Sequence, residues 1–295
     1  MQEELFYHIA LKFVPDIGSA VIKNLVSWCG NAKFIFTTSK GKLQKIPLVG
    51  EIRAKKILDK NIQHEAFRKA EKELAFIDKH KIECLFYNDK QYPQRLLQCD
   101  DAPSLLFFKG SCDLNHERII AVVGTRSASE YGKEITKKIV SELSKARIMI
   151  ISGLALGIDG VAHTAALANE IPTVGILGHG LNRIYPENHR NLAKQMLRNG
   201  GLLTEYTSQC AFHPSNFPQR NRIVAGLCDA LLVVETDVKG GAVITANIAN
   251  SYNREVFAVP GAVGTKSARG CHFLIKTHKA MLIENAEDVI KFMRW

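Results

Sequence analysis

From residue 118 to the C-terminus, short aliphatic runs alternate with helical patterns. Few architectures accommodate that rhythm. The runs fall at 119–123, 148–152, 172–177, 202–205, 231–235, 256–259 and 281–283, and the helical patterns near 130–146, 159–169, 188–198, 219–227, 242–253, 271–278 and 286–293. The run Ala230-Leu231-Leu232-Val233-Val234-Glu235 is apolar almost throughout rather than at every second position. Such a run is a strand buried on both faces, as in a parallel sheet. The pattern therefore predicts an α/β fold, an extended Rossmann-type doubly wound parallel sheet over residues 118–295.

In such sheets ligands bind beyond the carboxyl ends of the strands. The loops expected there span 124–129, 153–157, 178–187, 206–219, 236–241 and 261–270, and carry Arg126, Arg183, Lys239, Lys266 and Arg269. Acidic residues among them are few, Glu187 and Asp237, and glycines are many. Cations beside bare amides at helix starts describe a phosphate-binding edge. Arg220, Asn221 and Arg222 follow Pro218 at the end of one loop and the start of its helix. Arginines so placed suit a planar, anionic or base-bearing ligand, or else pair with neighbouring carboxylates on the surface. Tyr185, Phe212, Phe217 and Phe273 lie among the basic loops, where aromatic rings either stack on bases or anchor the loops.

Signatures of cofactor chemistry are absent. The first strand continues as VVGTRSASEYG, without G-x-G-x-x-G, and no G-x-x-x-x-G-K-[ST] occurs. Asp159 and His163 stand four apart and can share a helix face, an arrangement that more often caps and packs than catalyses. Ser152-Gly153 lacks the G-x-S-x-G elbow. Cys210 and Cys271 have His213 and His272 nearby in sequence only. We expect no catalytic residues, no metal and no cofactor.

The N-terminal third reads differently. Val14-Pro15-Asp16-Ile17-Gly18 is echoed by Ile46-Pro47-Leu48-Val49-Gly50, each copy leading into a helical pattern. This repeat resembles the helix-hairpin-helix and SAM-like modules of DNA-binding proteins, with Asp16 and Leu48 where a small residue is usual. We expect a small all-helical domain over 1–75. A charge-laced helix over 65–81 leads out of it. A linker and sheet extension follows over 76–117, with strands at 82–87 and 105–110.

A net charge of +10 favours a polyanionic partner. Seven cysteines without a C-x-x-C pair argue against a disulfide framework or zinc site. The N-terminus lacks a basic segment followed by an apolar one, and no apolar run reaches membrane-spanning length. A cytoplasmic protein without membrane contact is expected.

The stretches AVVGTR, SGLALGIDGVAH, GILGHGLNRIYPENH, GGLLTEY, FPQRNRIVAG, LLVVET with KGGAVITANIA, and VFAVPG occur in that order. Together they resemble the DNA-processing protein A family (DprA, also called Smf). The resemblance implies single-stranded DNA binding, loading of the RecA recombinase, DNA recombination in natural transformation (competence), and a homodimer. It implies that Arg126, the glycine loop with Gly153 and Gly157, Arg220, Asn221 and Arg222 line one DNA pocket, with Lys239 a further candidate. Gly240 and Ala242 stand where the family has serines. Many members carry a C-terminal winged-helix domain, and the chain stops at Trp295, directly after the last helical pattern. On this reading Arg126→Ala or Arg220→Ala weakens DNA binding and leaves folding intact. Two other readings compete. One is a nucleotide-processing Rossmann enzyme of the phosphoribohydrolase type, with Glu235 as the group to test. The other is a structural module with a basic surface.

Overall fold

Among the described residues, 2–295 of a computed structural model, nine short strands form one sheet. They are β1 (Glu83–Phe86), β2 (Leu105–Gly110), β3 (Ile119–Val123), β4 (Met149–Ser152), β5 (Thr173–Ile176), β6 (Gly200–Thr204), β7 (Ala230–Val233), β8 (Glu255–Ala258) and β9 (Met281–Leu282). The order across the sheet is β1-β2-β6-β5-β4-β3-β7-β8-β9. From β6 to β9 all neighbours are parallel, with Ala121 of β3 opposite Ile151 of β4 on one side and Leu231 of β7 on the other. β1 and β2 add an antiparallel edge beside β6. All seven strands expected after residue 118 are present, each within two residues of its expected ends.

The aliphatic runs form strands because both their faces are covered. Ala121, Val123, Leu231 and Val233 pack under helices Asn216–Leu227, Gly241–Ser251 and Arg269–Lys276. Ile120, Val122, Ala230 and Leu232 pack under helices Glu130–Leu143, Ile158–Ala168 and Ala286–Met293. Each buried Val, Leu or Ile contributes about 1.5–3 kcal/mol. A cut such as Leu231→Ala would cost roughly 2–5 kcal/mol. The chain runs outward from β3 through β4, β5 and β6, then returns to β7 on the opposite side of β3. The loops after β3 and β7 therefore diverge and leave a crevice at the carboxyl edge.

Residues before β1 are helical: Gln2–Lys12, Ser19–Cys29, Gly50–Leu58 and Lys60–His80, with one-turn helices Ala32–Ile35 and Lys40–Leu43 between. The internal repeat is real in the backbone. Asp16 and Leu48, at matching positions, have φ of 64° and 67°. Side chains rarely adopt that region. Arg53 ties the two turns together, donating to the Asp16 carbonyl at 2.9 Å and the Leu48 carbonyl at 2.6 Å. The helices pack on the antiparallel edge through β2, whose side chains divide. Leu105 and Phe107 enter the helical core, and Leu106 and Phe108 enter the sheet core. Buried Glu73, on Lys60–His80, accepts from the Ser208 amide at 2.7 Å and its hydroxyl at 2.6 Å. That fixes the loop after β6 against the helices.

Candidate functional site

The crevice between the β3 and β7 loops is a cavity of about 330 Å³. Gly124, Thr125 and Arg126 line one side, and Thr236, Asp237, Gly240 and Gly241 the other. Three helix N-termini reach it: Ile158–Ala168 through Asp159, Asn216–Leu227 through Phe217 and Pro218, and Gly241–Ser251 through its first residues. The last has no acidic residue in its first turn and no capping side chain. Its leading amides therefore stay available to an anion. The β7 loop is braced from behind, since the Thr236 amide donates to the Ser267 carbonyl (2.7 Å) and Gly270 donates to the Thr236 carbonyl (2.8 Å).

Arg220 forms the floor. Its helix begins at Asn216, three residues earlier than the sequence pattern suggests. Pro218 is tolerated there because first-turn amides need no helical partner. From the next turn the Arg220 guanidinium donates to the Gly153 carbonyl after β4 and to the Ile176 carbonyl of β5. The side chain is buried, which pushes its pKa down to about 10, against the pull of Asp159. Asp159 accepts from the Gly153 and Ala155 amides at 3.1 and 3.3 Å. Burial pushes its carboxyl up, and Arg220 offsets part of that rise. Gly153 is bare because a Cβ there would land on the guanidinium. Arg220 thus holds the floor together, and removing it would leave a buried carboxylate without a counter-charge. The expectation that Arg220 can be cut back without cost to folding is corrected by this burial.

Arg126 is different. It is exposed, and its guanidinium stands 5.8 Å from the centre of the Phe217 ring. Gly157, with φ of 78°, lets the β4 loop press on the β3 loop, where a Cβ would strike the Thr125 carbonyl. Gly157 therefore positions Arg126 rather than lining the cavity. Asn221 is on the cavity wall, and Lys239 is exposed in the β7 loop beside it. Next to Arg126, Phe217 meets Tyr185 and Phe212 with centroids 5.6 Å away, and those two rings are 5.0 Å apart. Arg183 sits 6.0 Å from the Phe212 ring. Tyr185 is 46% and Phe212 39% exposed, so this cluster presents ring surface beside the cations.

Arg222 does not join them. It donates to Glu205 at 2.6 Å and to the Asp101 carbonyl at 2.9 Å. It lies in a separate cleft of about 550 Å³, shared with Lys12, Gly18 and Arg53 of the N-terminal helices. Residues two apart on a helix point to nearly opposite sides. A helix begun at Asn216 therefore cannot aim Arg220 and Arg222 into one pocket, and the single-pocket expectation is corrected at Arg222. That helical spacing was the missed signal.

The candidate catalytic groups are engaged elsewhere. His163 is buried, with Nδ1 2.7 Å from the Thr173 hydroxyl, which itself donates to the Ile150 carbonyl at 3.0 Å. That network assigns the ring proton to Nδ1. Burial pulls the His163 pKa down to about 3. Glu235 accepts from the Ser129 amide (2.9 Å), the Ser129 hydroxyl (2.6 Å) and the Ser267 hydroxyl (3.2 Å), and its carboxylate serves the start of helix Glu130–Leu143. Among the described residues, no three His, Cys, Asp or Glu converge to hold a metal ion. None of the described helices is long and apolar enough to cross a membrane.

The chain resembles known proteins in both sequence and structure. Protein Smf of Escherichia coli is 37% identical over 226 residues, 76% of this chain, which spans 60% of that relative's length. The structure of DNA processing protein A from Streptococcus pneumoniae superposes with a TM-score of 0.78 at 31% identity, covering 97% of each chain. DNA processing protein A from Helicobacter pylori, whose structure is described as showing a single-stranded DNA binding mode, gives a TM-score of 0.66 at 27% identity. The match covers 72% of this chain and 96% of that one. Residues 83–294 match the DNA recombination-mediator protein A family. With the switch-point crevice and the motif order above, this chain belongs to the DNA recombination-mediator protein A (DprA/Smf) family.

Proposed function

We propose that the chain binds single-stranded DNA at the crevice and delivers it to the RecA recombinase, acting as a non-enzymatic mediator in natural transformation and recombination. The observation that carries this reading is the convergence of exposed Arg126, the uncapped start of helix Gly241–Ser251 and the Tyr185–Phe212–Phe217 cluster on one strand edge. Phosphates take the guanidinium and the amides, and splayed bases take the rings. Lys239 and Asn221 add contacts from the rim and wall. Arg220, Gly153 and Gly157 serve by shaping the floor. The single-stranded DNA described for the Helicobacter pylori relative supports the same ligand here. The protein acts as a homodimer in the cytoplasm. It is organised as a helical domain over 1–75, whose last helix, Lys60–His80, runs on past that boundary, a linker and sheet extension over 76–117, and a Rossmann-type domain over 118–295.

A polarization titration of labelled oligo-dT against duplex of equal length, at two salt concentrations, tests the proposal. Tight binding that prefers the single strand is expected. Its log–log salt slope should be about −0.7 per phosphate neutralised. Equal weak binding to both, or none, would overturn it.

A further inference from the structure

Helix Ser19–Cys29 buries Val21, Ile22, Leu25 and Val26. Trp28 continues the same stripe at helical spacing from Val21 and Leu25, a position that predicts burial. It is instead 65% exposed. Phe34, just after the turn, is 54% exposed. Both line a groove of about 650 Å³ on the N-terminal helices, whose other wall carries Thr38, Lys42 and Lys45. Between Trp28 and Gly50 the sequence has four lysines and no acidic residue. Lys33 and Lys40 pair with Glu3 and Glu51 at 2.7 and 2.9 Å. Lys42 and Lys45 are exposed and pair with no carboxylate among the described residues.

Open ring faces beside uncommitted ammonium groups are what a sequence-tolerant single-strand site requires. Exposed rings also anchor protein partners, but this groove is lined by two lysines and no carboxylate, and cations interleaved with rings match a polyanion that carries flat bases. The groove is also placed to continue a path. The first two turns of helix Asn216–Leu227 send Arg220 and Asn221 to the crevice and Gln219 and Arg222 to the separate cleft on the helix's other side, where Lys12, Arg53 and Arg222 stand among Asp16, Asp101 and Glu205. Helix Ser19–Cys29 starts in that cleft and ends at the groove, about 15 Å further along.

We propose that the Trp28–Phe34–Lys42–Lys45 groove is a second single-stranded DNA contact, taking the part of a long strand that extends beyond the crevice. This rests on the crevice being the primary DNA site. The test uses oligo-dT of about 6 and about 25 nucleotides, the shorter too short to need both sites. Trp295→Phe leaves Trp28 as the only tryptophan, since the chain has two. Its fluorescence should be quenched by the long oligonucleotide. The double variant Trp28→Ala/Phe34→Ala should lose about ten-fold in affinity for the long strand and keep its affinity for the short one. Lys42→Glu/Lys45→Glu, which alters only exposed groups, should do the same. It should also lower the salt slope for the long strand by about 1.4. If both double variants bind the long strand as the parent does, the groove is not a DNA site. Quenching of Trp28 by poly-glutamate and not by DNA would overturn the proposal in favour of an acidic protein partner. Failure of the parent to bind either oligonucleotide would sink the crevice reading instead.

Discussion

The crevice and the groove are both cationic, and they are built in opposite ways. In the crevice the buried side chains are spent on the protein's own loops: Arg220 holds two carbonyls, Asp159 holds two amides, and Glu235 holds two serines behind the wall. What remains for a ligand is backbone amide, ring surface and the exposed Arg126. In the groove, Trp28, Phe34, Lys42 and Lys45 hold nothing. A site made by topology loses stability before it loses binding when it is cut, whereas a site made by surface side chains loses binding alone.

The strongest way to break that comparison is Arg220→Ala. It strands Asp159 and two carbonyls, and should cost about 3–5 kcal/mol in urea unfolding. A loss below about 1 kcal/mol would mean that water replaces the guanidinium and that the floor is not self-supporting. Next comes pH. The folded His163 pKa lies below its unfolded value, so this ring favours the folded state above pH 6.5. That advantage shrinks as pH falls from 6.5 toward about 3. The slope from this group is about 1.4 kcal/mol per pH unit. A His163→Gln variant, measured by the same unfolding series, should lack that component. The smallest stability effect and the cleanest binding effect belong to Arg126→Ala. Tm should be unchanged, short-strand affinity should fall about ten-fold, and the salt slope should drop by about 0.7. Arg222→Ala sharpens the contrast. Losing its partly buried pair with Glu205 should cost about 1–2 kcal/mol, with short-strand affinity within two-fold of the parent.

The strands were legible because a sheet covered on both faces needs uninterrupted aliphatic runs, and Ile119–Val123 and Ala230–Val233 have nothing else to be. The crevice was legible as an edge, since loops after parallel strands gather there whatever their sequence. The direction of each side chain was not. Arg220 and Arg222 read alike in a linear motif. They part only once the helix is known to begin at Asn216, because a 3.6-residue period then sends them to opposite sides. Asp159 and His163 share a spacing that suits a catalytic pair, yet their partners, the Gly153 amide and Thr173, come from the loop after β4 and from β5 and are fixed by strand order. Strand order is a property of contacts far apart in sequence. For the same reason the exposure of Trp28 was invisible, since the stripe it continues ends at a core boundary the sequence does not mark.

β2 gives Leu105 and Phe107 to one core and Leu106 and Phe108 to the other. A strand shared in this way is a party wall: neither room can be emptied while the other stands. Melting the helices would uncover Leu105 and Phe107 and pull on the pairing of β2 with Leu202, Leu203 and Thr204 of β6. Slow amide exchange in helix Lys60–His80 should therefore report on the same opening event as exchange in β6, and a strand engaged at both sites would slow the two together.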